Sequence, residues 1–312
     1  MAMSKDAIWA GTRTLVTGGR GFLGGHIVRR LKEEGADPVA VGRAEADLTD
    51  REETQRLFDD VQPDVVIHCA VQGGGIGWMR EHPVESGRDN ALININALDA
   101  AHRAGAKLFI GASSTCCYPR SPPVPFVETD IWNGYPEPTN GPYAQSKRLM
   151  MDLGRAYFQQ YGFRSAFAVL GNLYGPGDDL DMDRAHVVAA LIMRTLREPE
   201  ELVVWGTGNA TREHLYVEDA ADGILALASW GKPDPVNIGT GDEVSVRDLA
   251  HAIAHATNFE GSIRFDTEKP DGQPRKVMDC TLATQEVGWT ASTTLEEGLS
   301  RTVAWYREKL GC

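Results

Sequence analysis

Short apolar, β-branched runs alternate with longer stretches of helical periodicity through the first half of the chain. Strands are predicted at residues 14–17, 38–41, 65–68, 108–112 and 166–170. Between the second and third, Thr49 and Glu52 read as a capping box that opens a helix running to about Asp60. Helices fit 90–104 and 143–161, the second just after Pro142. This alternation predicts an α/β fold, a doubly wound parallel sheet of the Rossmann kind with its ligand at the carboxyl ends of the strands.

Seven of the sixteen prolines fall between Pro119 and Pro142, so that stretch is predicted as a stiff loop. Beyond Leu170 the alternation loosens into a loop over 171–183, a helix from about His186 to Arg197, a strand at 202–205 and further mixed elements. A second capping box, Thr294 with Glu297, announces a last helix running to about Lys309. At 312 residues the chain exceeds the usual size of one core. The expected division is a Rossmann nucleotide-binding domain over 1–173 and about 212–240, and a smaller mixed α/β substrate domain over about 174–211 and 241–312.

Composition then excludes several classes. With 42% hydrophobic and 24% charged residues the chain is neither fibrous nor disordered. A formal net charge of −13 with no local basic patch argues against nucleic acid or an anionic membrane as partner. No run approaches the ~20 apolar residues of a membrane span, and residues 1–11 carry only scattered apolar side chains, so a cytoplasmic location is expected. Cys69, Cys116, Cys117, Cys280 and Cys312 form neither a CxxC pair nor a disulfide-like ladder; free thiols and no metal site are expected.

Directly after the first strand comes Gly18-Gly19-Arg20-Gly21-Phe22-Leu23-Gly24, with glycines at every third position as a helix opens. Such a turn lets a pyrophosphate rest on amides at the helix N-terminus. NAD preference usually places an acidic residue at the end of the second strand, where this chain has Val41-Gly42-Arg43. Arg20 and Arg43 instead suit a 2′-phosphate, which favours NADP(H). Asp47 and Leu48 fall where this class contacts adenine, although Asp47 equally suits a turn.

Tyr143 and Lys147 are four apart on a predicted helix and therefore share a face. A nearby ammonium is expected to stabilise the phenolate and bring the tyrosine toward neutrality, so that it exchanges a proton with a hydroxyl or ketone. Ser114, just past the fourth strand, would supply a hydroxyl to the same oxygen. Loss of this Tyr/Lys pair would mark a non-catalytic cofactor-binding scaffold; both residues are present.

With these residues in order, the chain resembles the extended short-chain dehydrogenase/reductase family, whose Ser-Tyr-Lys triad would be Ser114, Tyr143 and Lys147. Within it the chain resembles the GDP-L-fucose synthases over nearly its whole length. The resemblance is carried by Gly73-Gly74-Gly75-Ile76, SSTCCYP from Ser113, EPTNGPYAQSK from Glu137, NLYGPG from Asn172, His186-Val187, VWGTG from Val204, Arg212-Glu213 and PDGQPRK from Pro270. It implies that Cys116 and His186 form the acid/base pair for epimerisation at C3 and C5 of a GDP-linked 4-keto sugar. It also implies reduction at C4 by NADPH with Tyr143 as proton donor, and substrate contacts from Asn172, Arg194, Trp205, Arg212 and Lys276. Cys117 is expected to pack behind Cys116. The chain departs from the family at Thr115, Cys117 and Trp78-Met79-Arg80, which leaves open an epimerase or reductase for another GDP-4-keto sugar such as a deoxyheptose. The helices at 90–104 and 143–161 match those through which the family forms homodimers.

Overall fold

In the computed structural model, residues 9–182, 184–198, 200–269 and 271–312 are described. Most of the N-terminal stretch read above, and Pro270 of the 270–276 motif, lie outside the described residues. The strands are β1 (Arg13–Thr17), β2 (Asp37–Val41), β3 (Val65–His68), β4 (Leu108–Ser114), β5 (Ser165–Leu170), β6 (Asn172–Tyr174), β7 (Glu201–Trp205), β8 (Thr211–Arg212), β9 (His214–Tyr216), β10 (Pro235–Ile238), β11 (Val244–Ser245), β12 (Ser262–Asp266) and β13 (Arg275–Lys276). The α-helices are α1 (Phe22–Glu33), α2 (Arg51–Val61), α3 (Ile76–Glu81), α4 (Pro83–Arg103), α5 (Gly141–Tyr161), α6 (Val187–Arg197), α7 (Val217–Trp230), α8 (Val246–Ala256) and α9 (Leu295–Leu310).

Six strands form one parallel sheet in the order β10-β5-β4-β3-β1-β2. Successive residues point to opposite faces, and both faces are covered. Val16, Ile67, Ile110 and Ala168 pack with residues of α1 and α7. Leu15, Val66, Phe109 and Phe167 pack with residues of α2, α4 and α5. Burial on both sides explains why these strands read as unbroken apolar runs. A second core gathers α6, α8 and α9 around Leu202 and Val204 of β7. The strand pairs β12-β7 and β6-β9 and the small sheet β11-β8-β13 complete the fold.

Three sequence expectations change in detail. The helix after β2 is capped by Asp50, whose carboxylate accepts from the Glu53 amide at 2.8 Å, while the Thr49 hydroxyl donates to Asp47. A carboxylate is the stronger acceptor at a helix N-terminus, so the cap sits one residue later than the Thr49/Glu52 box. The loop expected over 171–183 begins with β6, which pairs in parallel with β9, a partner 42 residues away. The proline-rich stretch contains 3₁₀ turns at Glu128–Trp132 and Pro138–Asn140. Thr294 does cap the last helix, accepting from Glu297 at 3.2 Å. Among the described residues no helix is long and apolar enough to cross a membrane.

Candidate active site

The glycine loop joins β1 to α1 by a close backbone approach. Gly18 has φ +70°, and a Cβ on Gly24 would stand 2.1 Å from the Gly18 carbonyl oxygen, so the helix reaches the loop only without a side chain there. Gly21 caps α1 with no side-chain hydrogen bond, which leaves the first-turn amides to a ligand. Arg20 and Arg43 flank Gly42 at the end of β2, both largely exposed. Their partners differ from the simple picture of two free guanidiniums. Arg20 Nε lies 2.7 Å from Glu45, whose carboxylate also accepts from the Gly42 amide at 2.8 Å. The chain thus does bring an acid to the end of β2, four residues late and neutralised by Arg20. Arg43 donates to Gln72 at 3.1 Å. Asp47 accepts from the Thr49 amide and hydroxyl, which hold its carboxyl below the usual range and make it a turn residue. Leu48 is buried beside it. The loop fits a dinucleotide, with bare amides at the helix N-terminus and the exposed Arg43 guanidinium at the end of β2.

Where β4 ends, Ser114 caps a single 3₁₀ turn, Thr115–Cys117, by accepting from the Cys116 amide at 3.2 Å. That turn aims Cys116 into the site and buries Cys117, whose sulfur lies 3.3 Å from the Ser113 hydroxyl. Arg148 of α5 fixes the turn from behind, donating to the Cys117 and Gly134 carbonyls at 2.8 Å each. The Cys116 sulfur receives the Asn140 amide at 3.2 Å and faces the Lys276 ammonium at 4.0 Å.

α5 opens at Gly141-Pro142, and Tyr143 and Lys147 lie in its first two turns. Lys147 is 2% exposed, donates to the Ala112 carbonyl at 2.9 Å, and stands 5.9 Å from the centre of the Tyr143 ring. Burial pushes its ammonium down to about 8. The expected shift of Tyr143 toward neutrality is not found. Burial pushes the phenol up, the Cys116 and Cys117 thiols add to this, and a hydrogen bond with Ser114 works against it. The ammonium is spent on a backbone carbonyl, and the phenol is a proton donor in its resting form.

His186 occupies the N-cap position of α6, its ring exposed and its Nδ1 3.4 Å from Asp178. The Asp178 side chain is buried and its second oxygen has no partner among the described residues. The hydrogen bond to this carboxylate, outweighing partial desolvation, raises the imidazole above its ordinary value. No direct contact ties His186 to Cys116. They are joined through the 73–82 segment. The Gly75 amide donates to the Arg184 carbonyl at 3.0 Å, bracing the His186 loop. From there α3 runs on against the 138–140 turn that carries Asn140.

The remaining sequence candidates lie on β6, α6, β7, β8 and β13. Asn172 donates to the Glu213 carbonyl at 2.9 Å. Arg194 and Arg212 donate to the Val203 and Thr211 carbonyls, and among the described residues neither has a carboxylate at ion-pair distance. Trp205 is 60% exposed, with the Lys269 ammonium 5.6 Å from its ring. Lys276 is placed on Cys116 rather than apart from the reacting groups. Asn140, Asp178 and Glu45 were not singled out from the sequence. Asn140 lies inside the EPTNGPYAQSK motif, a usable signal; the other two act across loops and carry none.

Residues 14–239 match the NAD dependent epimerase/dehydratase family. The chain belongs to that family. A GDP-L-fucose synthase of Arabidopsis thaliana is 37% identical over 300 residues, covering 94% of this chain and 93% of the relative. A GDP-L-fucose synthase of Escherichia coli is 34% identical over 311 residues, covering 95% and 97%. Among solved structures, a GDP-L-fucose synthetase from Naegleria fowleri bound to NADP superposes with a TM-score of 0.87 at 28% identity, covering 100% of this chain and 97% of that one. This agreement over nearly full length confirms the doubly wound fold and the resemblance drawn from the motifs.

Proposed function

We propose that this epimerase/dehydratase family member is an NADPH-dependent 3,5-epimerase and 4-reductase that converts GDP-4-keto-6-deoxy-D-mannose to GDP-L-fucose. The observation that carries the reading is the Cys116 sulfur, held between the Asn140 amide and the Lys276 ammonium. A plain ketoreductase needs only the phenol. The relatives named GDP-L-fucose synthases, and the NADP-bound neighbour, support the substrate and cofactor.

A ketone at C4 acidifies the protons on C3 and C5. Cys116 removes one of these, and His186, whose protonated form Asp178 favours, returns a proton on the opposite face. Tyr143 then protonates the C4 oxygen, with Ser114 aligning it and the Lys147 ammonium keeping the pocket positive. When bound, NADPH supplies the hydride that reduces C4. Arg194 and Arg212, without carboxylate partners among the described residues, suit the diphosphate, Asn172 contributes a further substrate contact, and Trp205 offers a face for the base. In the same reading the chain divides into the nucleotide and substrate domains at about residues 173, 212 and 240. The protein is cytoplasmic, and it pairs into a homodimer through α4 and α5. Leu92, Ile95, Leu149, Phe158 and Tyr161 on those helices are exposed apolar residues that such pairing would cover.

Solvent deuterium incorporation and NADPH oxidation on three variants test the chemistry. Cys116→Ser should abolish exchange at C3 and C5, and Tyr143→Phe should allow exchange but stop NADPH oxidation. His186→Asn should stall or skew the stereochemical outcome. Each loss is expected at ~100- to 10,000-fold. Wild-type exchange in Cys116→Ser would reject the epimerase and leave a 4-ketoreductase. Turnover of a GDP-4-keto-deoxyheptose in place of the hexose would reassign the sugar.

A further inference from the structure

Residues 41–43 hold no carboxylate, yet the fold returns one to the end of β2, the place where dinucleotide sites selective for NAD(H) keep an acid. The turn that follows the strand makes the return. The Gly42 carbonyl accepts from the Glu45 and Ala46 amides at 3.2 and 3.3 Å, and Ala46 and Leu48 are buried beneath. Glu45 is thereby folded back on the strand end, and its Oε2 accepts from the Gly42 amide at 2.8 Å. Both backbone polar groups of Gly42 are satisfied within this turn, so the backbone itself fixes where the carboxylate stands.

The glycine loop supplies the cation that meets it. The Gly19 amide donates to the Val41 carbonyl at 3.0 Å, which stitches the loop to the end of β2, and Arg20 Nε then lies 2.7 Å from Glu45 Oε1. A Cβ added to Gly42 would touch Arg20 Cδ and Glu45 Oε2 at 3.4 Å each, so the ion pair lies directly over the strand end. The Gly42 amide, with help from Arg20, holds the Glu45 carboxyl below the usual range. The second cation is matched as well. Arg43 stands 3.9 Å from Asp47 and donates to Gln72 at 3.1 Å. Gln72 is itself fixed by the buried Asn90, which accepts from its amide at 2.9 Å and donates to its carbonyl at 2.7 Å. Two guanidiniums therefore face two carboxylates, and the four charges cancel. A phosphate that arrives here meets no net positive field and has to take Arg20 away from Glu45.

We propose that Glu45 is the specificity-determining acid of the cofactor site: its carboxylate occupies Arg20 as a 2′-phosphate does, and this competition tempers the preference for NADP(H) over NAD(H). A nucleotide with a free 2′-hydroxyl leaves the ion pair intact; one with a 2′-phosphate exchanges it for a new pair with Arg20. The inference rests on the reading of Arg20 and Arg43 as the 2′-phosphate contacts.

The test is isothermal titration of the full chain with 2′,5′-ADP and 5′-AMP, which differ at the 2′ position and need neither turnover nor a sugar substrate. Glutamine at position 45 can still accept from the Gly42 amide but no longer neutralises Arg20. Glu45→Gln should raise the preference for 2′,5′-ADP over 5′-AMP by about 2- to 5-fold, the scale of one exposed ion pair. Glu45→Ala, which empties the position, should move the preference the same way and keeps the test open if the glutamine variant fails to fold. In an Arg20→Met background the gain from Glu45→Gln should vanish, which separates exchange of a partner from a general change of field. A preference unmoved in both Glu45 variants, or a gain of the same size without Arg20, overturns the proposal. A wild type that favours 2′,5′-ADP while the Glu45 variants match it fails the proposal alone; a wild type that binds neither probe fails the cofactor reading of this loop and the proposal with it.

Discussion

Lys147 is a charge kept in the core at the expense of stability, and replacing it by methionine should uncouple the two. Its ammonium falls from 10.5 to about 8 because burial disfavours the charged form. At about 1.4 kcal/mol per unit, that is about 3 kcal/mol of folding free energy lost at pH 7. Methionine fills similar volume without the charge but gives up the hydrogen bond to Ala112, worth about 1 kcal/mol, or up to about 3 if that carbonyl is left unsatisfied. Lys147→Met should therefore be at least as stable as the wild type at pH 7, by about 0 to 2 kcal/mol, while catalysis is lost. The pH dependence carries the decisive sign. Between about 8 and 10.5 the unfolded lysine binds a proton that the folded one has released, so wild-type stability rises with pH through that window. The difference between variant and wild type should accordingly swing by about 2 to 3 kcal/mol toward the wild type between pH 7 and pH 10. Urea unfolding of both proteins at the two pH values measures it, and other titrating groups cancel in the difference. A variant less stable by 2 kcal/mol at pH 7, with a gap that does not move by pH 10, would refute the account of Lys147.

Two further outcomes follow from neighbouring contacts. Arg43→Ala should weaken NADPH binding about 5- to 30-fold and leave NADH binding unchanged, the value of one exposed charge-assisted contact; isothermal titration with both nucleotides checks it. Asp178→Asn removes the carboxylate that raises His186, so the alkaline limb of the epimerisation profile should move acid-ward. The stability that this pair contributes is present below the ordinary histidine value of 6.5 and is lost as pH rises through the raised one, so the gap in thermal unfolding between the two proteins should be widest below 6.5 and narrow as pH rises.

What could be read along the chain was local. The five strands at 14–17, 38–41, 65–68, 108–112 and 166–170 stand out because both faces of the sheet are covered and their apolar runs are unbroken. The glycine turn and the Tyr143/Lys147 pair stand out because their spacing is dictated by one turn and one helix. β6 does not, because three residues carry no periodicity and their strand character comes from pairing with β9. The same limit applies in the site. Glu45 folds back on the Gly42 amide, Asp178 reaches His186, and Lys276 reaches Cys116 over 160 residues of chain; in each case a side chain acts where only the assembled fold puts it. The Tyr143 shift was missed for a different reason. Spacing shows that an ammonium is near, but not that the Ala112 carbonyl engages it and that burial dominates the phenol.

The stitching of the proline-rich loop also sets an order of events for the growing polypeptide. Asn237 donates to the carbonyls of Phe126 and Asp279, and the Phe126 amide donates to the Val277 carbonyl, so the strip that delivers Lys276 docks on a loop made 150 residues earlier. A chain still on the ribosome with residues up to about 240 exposed already possesses the central sheet, the glycine turn, Tyr143 and Lys147. Cys116 remains without its cation until the strip at 275–279 has emerged and locked. The cation beside Cys116 is thus the last of these side chains to be made, and a chain ending before residue 275 would lack it.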